Sequence, residues 1–326
     1  MPIVCVASSF PENQNLNVSI VEHLVEGFCE VLGEECVHRL AFGSVADSVR
    51  KLRPNLVILV GSALSPKSDF GSVARAVRSV GACFAYWTVE DPYEFDFNYK
   101  FADVADVVFT NDLWSLNFYQ RDHVYHLPTA ASPKQARSLE NFEQRPLDIF
   151  FCGVAFAIRR RLISDAMTVL ENHKSLIIGD LWPDYGGTIV SNRRLTSHRL
   201  VDHYAASKCV LNIGRDYYLA NDQRGLQAVT PGPRTFEAAM TGCVQLYYQP
   251  SSAFRHYYAS DEIISFHTVS ELEERLDWLL TKPEEAIKIA SKAQKRTLHD
   301  HTYAQRAREI LRHTGFDLWE GCGDVT

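Results

Sequence analysis

An α/β fold of two consecutive domains, each built on a parallel sheet, is what this sequence predicts, and three observations predict it. Apolar β-branched runs alternate with amphipathic helical stretches along most of the chain. The apolar runs are near-continuous rather than alternating, as strands covered on both faces require. The alternation breaks once, at residues 131–146, a polar stretch with two prolines, and then restarts. The 326 residues also exceed one ordinary domain of ~100–200 residues. We therefore expect one domain over 1–138 and a second over 139–326.

The elements follow in order. Residues 3–7 read as a first strand. Val18, Val21, Leu24, Val25, Phe28, Val31 and Leu32 recur at helical spacing. Residues 55–60 (Asn-Leu-Val-Ile-Leu-Val) form a buried strand ending at Gly61, and 71–80 a helix. Residues 83–88, 106–110 and 124–127 are three more strands. The second half opens on a strand at 147–152 closed by Gly153. A helix over 159–170, a strand over 175–179, a helix over 198–206 and a strand over 209–213 follow. The helix at 233–241 has Pro near its start and Gly242 just past its end, the expected asymmetry. Strands at 243–248 and 263–266 come next. Ser270 with Glu273 reads as a capping box for a helix through Leu280. Residues 283–298 form a further helix, and Thr302 with Gln305 caps the last one, through Leu311. The tail 317–326 has no pattern and reads as a loose end.

Composition narrows the function. The apolar fraction of 46% is globular, and 33 basic against 40 acidic residues give a net charge of −7. That balance argues against non-specific nucleic-acid or anionic-membrane binding. No run of about eighteen apolar residues suggests a membrane span, and the N-terminal apolar stretch lacks a basic leader. Eight scattered Cys, none in a C-x-x-C pair, read as buried reduced thiols of a cytoplasmic protein. No G-x-G-x-x-G, G-K-[ST] or G-x-S-x-G stands in the sequence. His299 and His301 form an H-x-H pair without further ligands nearby, and read as polar residues at a helix end.

The informative stretch is Pro233-Arg234-Thr235-Phe236-Glu237-Ala238-Ala239-Met240-Thr241-Gly242. A helix N-terminus carries free N–H groups and partial positive charge, a seat for phosphate. Arg234 would add a charge-assisted bond, and Glu237, a turn in, could accept from ribose hydroxyls. An ordinary helix whose Glu is favoured by the macrodipole fits the same residues equally well.

These residues carry a resemblance. Arg-x-Phe-Glu-Ala-Ala-x-x-Gly before an apolar strand resembles the nucleotide-sugar motif of GT-B glycosyltransferases, and more narrowly the CgeB-like family of spore-maturation-type glycosyltransferases. Phe151-Cys152-Gly153 with Arg159, Cys209-Val210-Leu211-Asn212-Ile213 with Arg215, and His301-Thr302-Tyr303 with Arg306 are similar to further segments of that family. In the first half, Trp87-Thr88-Val89-Glu90-Asp91-Pro92 resembles its acidic strand end. The likeness spans roughly 83–312 and is strongest over 147–312. The loop 216–232, with Tyr217, Tyr218 and Arg224, departs from the pattern.

The resemblance implies a GT-B fold: two Rossmann-like domains with parallel sheets facing across a cleft, the donor mainly on the second and the acceptor mainly on the first. It implies a hexosyltransferase-type enzyme that moves a sugar from a nucleotide diphosphate donor (a UDP-, GDP- or dTDP-sugar) to an acceptor hydroxyl, with no cofactor required. Gly153, Arg159, Arg215, Arg234, Thr235 and Glu237 would bind the donor. Three arginines and a helix N-terminus would meet the leaving group's charge without metal. Asp91 and Glu90, at a strand's carboxyl end, are candidate bases. Asp91-Pro92 equally reads as a turn held by local backbone bonds. Asp112 is a weaker candidate, alternatively the N-cap of the next helix. Asn212 reads as a buried polar residue bonding a neighbouring loop, Tyr303 and Arg306 as packing, and Glu94-Phe95-Asp96 as a solvated loop rather than a metal-binding Asp-x-Asp. An epimerase or hydrolase of the same fold, a non-catalytic nucleotide-sugar binder, and a nucleic-acid acceptor remain as alternatives, the last disfavoured by the net charge.

Overall fold

The computed structural model describes residues 1–11, 18–64, 69–187, 189–216 and 218–316. Tyr217, Cys322 and the tail 317–326 lie outside them. The chain divides into two compact units, 1–129 with 218–228 and 302–326, and 130–217 with 229–301.

The first unit contains β1 (Val4–Ser8), α1 (Val18–Leu32), β2 (Val37–Leu40), α2 (Val45–Leu52), β3 (Leu56–Gly61), α3 (Phe70–Ser79), β4 (Cys83–Thr88), α4 (Tyr99–Ala102), β5 (Val107–Thr110) and β6 (Val124–His126). Its six strands run parallel in the order β2-β1-β3-β4-β5-β6. Side chains of period two divide between the faces. Cys5, Ala7, Val57, Leu59, Phe84, Tyr86 and Val108 join one core with α2 and α3. Val4, Val6, Leu56, Ile58, Val60, Trp87 and Phe109, of opposite parity, are also buried. Burial on both faces is why these strands read as unbroken apolar runs.

The second unit contains β7 (Leu147–Cys152), α5 (Ala157–Asp165), α6 (Met167–Glu171), β8 (Ser175–Gly179), β9 (Val190–Asn192), α7 (Ser197–Ala205), β10 (Ser207–Asn212), α8 (Pro233–Met240), β11 (Val244–Tyr248), β12 (Ile264–Phe266), α9 (Val269–Thr281) and α10 (Pro283–Asp300). Its parallel order is β12-β11-β10-β7-β8-β9. Counted within the unit this is the doubly wound arrangement, and strand order reverses between β7 and β10. Ligands of such sheets bind outside the carboxyl ends of the strands at that reversal.

The final helix, α11 (Tyr303–His313), belongs to the first unit. It lies so close to α1 that a Cβ on Gly27 would meet Tyr303 backbone atoms at 2.4 Å. Buried Arg306 donates from Nε to Pro128 O at 2.7 Å and from Nη2 to Thr129 O at 3.2 Å. Tyr303 and Arg306 are thus packing residues, as expected. The first unit is discontinuous, whereas one cut after 138 was expected.

Other differences are local. β2, α2, α4 and β9 were not foreseen. The helix expected over 159–170 is two helices meeting at Ala166. The cap of α9 is Thr268, two residues before Ser270. Its Oγ1 accepts from Glu271 N at 3.1 Å, and Glu271 Oε2 accepts from His267 N at 2.9 Å. The 131–146 stretch is tightly tied into the second unit. Buried Arg145 donates from Nη1 to Ser207 O at 2.9 Å and Gly242 O at 2.8 Å.

Candidate functional site

At the strand reversal of the second sheet, β7 ends at Cys152 and the chain turns through Gly153. Gly153 N donates to Ile178 O at 2.8 Å, and Gly153 O accepts from the buried Trp182 indole at 2.9 Å. A Cβ on Gly179 would lie 1.8 Å from Gly153 O, so two glycines let the ends of β7 and β8 close. A Cβ on Gly153 would lie 2.9 Å from Arg159 Nη1 and 3.0 Å from Arg234 Nη1. Two guanidinium groups therefore converge on this one glycine.

Each arginine is anchored by carbonyls at the strand ends. Arg159 donates from Nε to Ile213 O at 3.1 Å and Gly214 O at 2.9 Å, and from Nη1 to Val154 O at 3.1 Å. Its guanidinium also lies over Phe151 and Phe156, 5.6 and 5.1 Å from the ring centroids. Arg234 Nη1 donates to Cys152 O. Fixed cations at a strand-end crevice suit a small anion.

Helix α8 starts beside them. Its N-cap, Gly232, offers no side-chain cap, and Pro233 opens the first turn. Gly242, with φ 71°, supplies the left-handed residue that ends it. Glu237 is partly buried one turn in. Burial pushes its carboxyl up to about 7, with Arg234 and then a hydrogen bond from Gln135 opposing the rise. Thr235 is placed differently from its expected donor role. It is buried, its Oγ1 accepts from Asn212 Nδ2 at 2.7 Å, and its carbonyl accepts from Gln245 Nε2 at 2.9 Å. The Thr235 hydroxyl and the Asn212 amide thus lock α8 to β10, and Asn212 also reaches Gln245 Oε1 at 3.0 Å in β11. Arg215 follows β10, half-buried, and the neighbouring Asp216 Oδ2 accepts from Ile158 N at 2.9 Å in the first turn of α5.

In the first unit, Asp91 follows β4 and is 3% exposed. Its Oδ2 accepts from Thr110 Oγ1 at 2.6 Å and Tyr119 Oη at 2.7 Å. Its backbone exchanges two bonds with the Asn111 side chain, at 2.9 and 3.1 Å. The Asp91-Pro92 peptide is cis. Burial pushes the Asp91 carboxyl up to about 6, against the two hydroxyl bonds. Glu90 beside it is only half-buried. Asp112 closes a local turn rather than capping a helix: its Oδ1 accepts from Trp114 N, Ser115 N and Ser115 Oγ at 3.0–3.1 Å, and the short 3-10 turn Ser115–Phe118 that follows has Trp114 at its N-cap position. Glu94 and Asp96 are not a solvated pair. Glu94 is buried and accepts from Ser62 Oγ at 2.6 Å and Ala63 N at 3.2 Å. Asp96 accepts from Asp222 N at 2.7 Å and Gln223 N at 3.2 Å.

Known proteins resemble this chain in sequence and in architecture. A family described as glycosyl transferase-like matches residues 159–312. The spore protein CgeB of Bacillus subtilis (strain 168) is 23% identical over 230 residues, spanning 67% of this chain and 70% of that protein. The chain is thus similar to CgeB over two thirds of its length and to the glycosyl transferase-like family over 159–312. Its fold is that of solved GT-B enzymes. Anabaena HepE (Alr3699), in complex with UDP-glucose, superposes with a TM-score of 0.64 at 10% identity, over 96% of this chain and 99% of that one. AviGT4, a glycosyltransferase involved in avilamycin A biosynthesis, gives 0.64 at 12% identity over 96% and 97%.

The match to the glycosyl transferase-like family contains Arg159, Arg215, Arg234, Thr235 and Glu237, and begins just after Gly153. Three supporting residues escaped the sequence reading. Gln135, which bonds Glu237, lies in the stretch read as a linker. Trp182, which holds Gly153, stands just past the end of β8, where a buried indole is the only signal. Tyr119, which bonds Asp91, lies 28 residues away, and no local spacing marks it. Among the described residues, no helix is long and apolar enough to cross a membrane.

Proposed function

We propose that this glycosyltransferase moves a hexosyl group from a uridine diphosphate sugar, without a metal ion, to an acceptor hydroxyl. The supporting observation is the pair of guanidinium groups, Arg159 and Arg234, anchored against Gly153 beside the N-terminus of α8. That arrangement presents cations and open backbone donors where a leaving diphosphate gathers charge. Arg215 adds a third cation, and Glu237 accepts from the ribose hydroxyls. Uridine is favoured over guanosine or thymidine because HepE, of the same fold, was solved with UDP and with UDP-glucose.

In the reaction, the acceptor oxygen bonds to the anomeric carbon as the bond to the diphosphate breaks. The acceptor proton passes to a carboxylate of the Glu90–Asp91 pair. Asp91, with its carboxyl near 6, is largely ionised at neutral pH and can take it directly or set Glu90 to do so. The test is a donor screen that measures released nucleoside diphosphate with UDP-, GDP- and dTDP-glucose, with and without EDTA. UDP-glucose turning over fastest, unaffected by EDTA, is expected. Loss of turnover in EDTA, or preference for another base, contradicts the reading. Activity of Asp91→Asn and Glu90→Gln equal to wild type would remove both as bases.

A further inference from the structure

The first unit contains a cavity of about 350 Å³ walled by residues after β4, residues after β5, and the 218–228 segment. Rings of Phe95, Tyr99, Phe118 and Tyr119 line it. The Arg224 guanidinium lies 5.5 Å over the Phe118 ring. Trp114 meets that ring edge-on at 5.7 Å. Among the described residues, Tyr99 (57%) and Trp114 (50%) are the large aromatic side chains left exposed; Tyr99 lines the cavity, and Trp114 packs on the lining ring of Phe118. An exposed ring on the wall of a concave surface, with a second exposed ring packed behind its neighbour, marks a binding surface rather than surplus core.

The polar groups narrow the ligand. Asp96 and Asp103 balance Arg121 and Arg224 along the wall, so the lining has no net charge. Arg121 is committed to the carbonyls of Ala102, Ala105 and Asp106, and Asp96 to the amides of Asp222 and Gln223. Asn98, Gln120 and Gln223 supply amide donors and acceptors. A charge-balanced, amide-bearing wall with stacking rings suits a neutral polyhydroxylated ring, and gives a polyanion nothing to neutralise. The volume is at the small end for ligand sites, room for a short saccharide and not for a folded polypeptide. Tyr119 is both wall and partner of Asp91 Oδ2, at 2.7 Å, so the cavity is joined to the acceptor-side carboxylate.

We propose that this cavity binds a neutral saccharide, a sugar unit of the acceptor. The inference rests on reading the first unit as the acceptor side. Saturation-transfer NMR with cellobiose, maltose and N,N′-diacetylchitobiose at millimolar concentration tests it, with a thymidine oligonucleotide as the polyanion. At least one disaccharide binds wild type, Tyr99→Ala weakens it about fivefold or more, and Tyr99→Phe restores it. UDP titrated into the same variants binds as in wild type. Binding of no disaccharide, equal binding by Tyr99→Ala, or binding of the oligonucleotide instead overturns the proposal. Failure of wild type to bind UDP is a separate result and counts against the donor site alone.

Discussion

Gly153 is the residue at which the proposed donor site is most easily closed. A methyl group there would lie within 3.0 Å of both guanidinium groups, which must then move off their carbonyl anchors. Gly153→Ala is expected to weaken UDP binding about tenfold or more with little change in Tm, read by calorimetry and thermal melting. Glu237 adds a pH dependence. With its carboxyl near 7, it is increasingly protonated as pH falls below 7, and in the proposed role would lose acceptor capacity toward the ribose. UDP affinity should therefore fall between pH 7 and pH 6 in wild type and change less in Glu237→Gln. Asp91 acts on stability with a definite sign. Its folded value, about 6, lies above the ordinary 3.8, so the folded state holds the proton more tightly than the unfolded state. Its stability contribution is largest at low pH and declines as pH rises through about 6. Asp91→Asn keeps an acceptor for the two hydroxyls and removes the charge. Its Tm relative to wild type should rise across that window, and a constant difference would refute the assignment.

At the scale of elements, legibility followed burial. The inner strands are apolar on both faces and stand out in the sequence. β2 and β9 are edge strands of four and three residues, with one buried residue between them, so their sequences resemble loops. In α2 only Val45 and Val49 are buried, too narrow a stripe to stand out. The site divides the same way. Arg234 and Glu237 were legible because a helix start after a glycine and before a buried strand has recognisable chemistry. Thr235 belonged to the same motif, yet its hydroxyl serves helix-to-strand packing. The 131–146 segment looked like a linker because its ties, Arg145 to Ser207 O and Gly242 O, Gln135 to Glu237 and Phe142 in the core, are to partners distant in sequence. Arg145→Ala leaves Ser207 O and Gly242 O without this donor and is expected to cost about 2–3 kcal/mol, measurable by urea unfolding.

For the molecule as a whole, the restart of strand and helix at 147 made two α/β units legible. The return of 218–228 and α11 to the first unit was not, because it depends on contacts distant in sequence. Arg306 bonds residues 178 and 177 positions away. Ending the chain at His301 should therefore destabilise the first unit, seen as faster hydrogen exchange in α1 and β1 than in β7 and β8. The net charge of −7 coexists with cations gathered at one crevice, an arrangement for a single small anion. We propose that the α8 N-terminus, with Arg159, Arg234 and Glu237, is the donor site. Calorimetric titration of UDP into wild type and Glu237→Ala tests it most directly. Saturable binding to wild type, weakened at least tenfold in a folded Glu237→Ala, is predicted. No binding to wild type, or equal affinity in the variant, would contradict it.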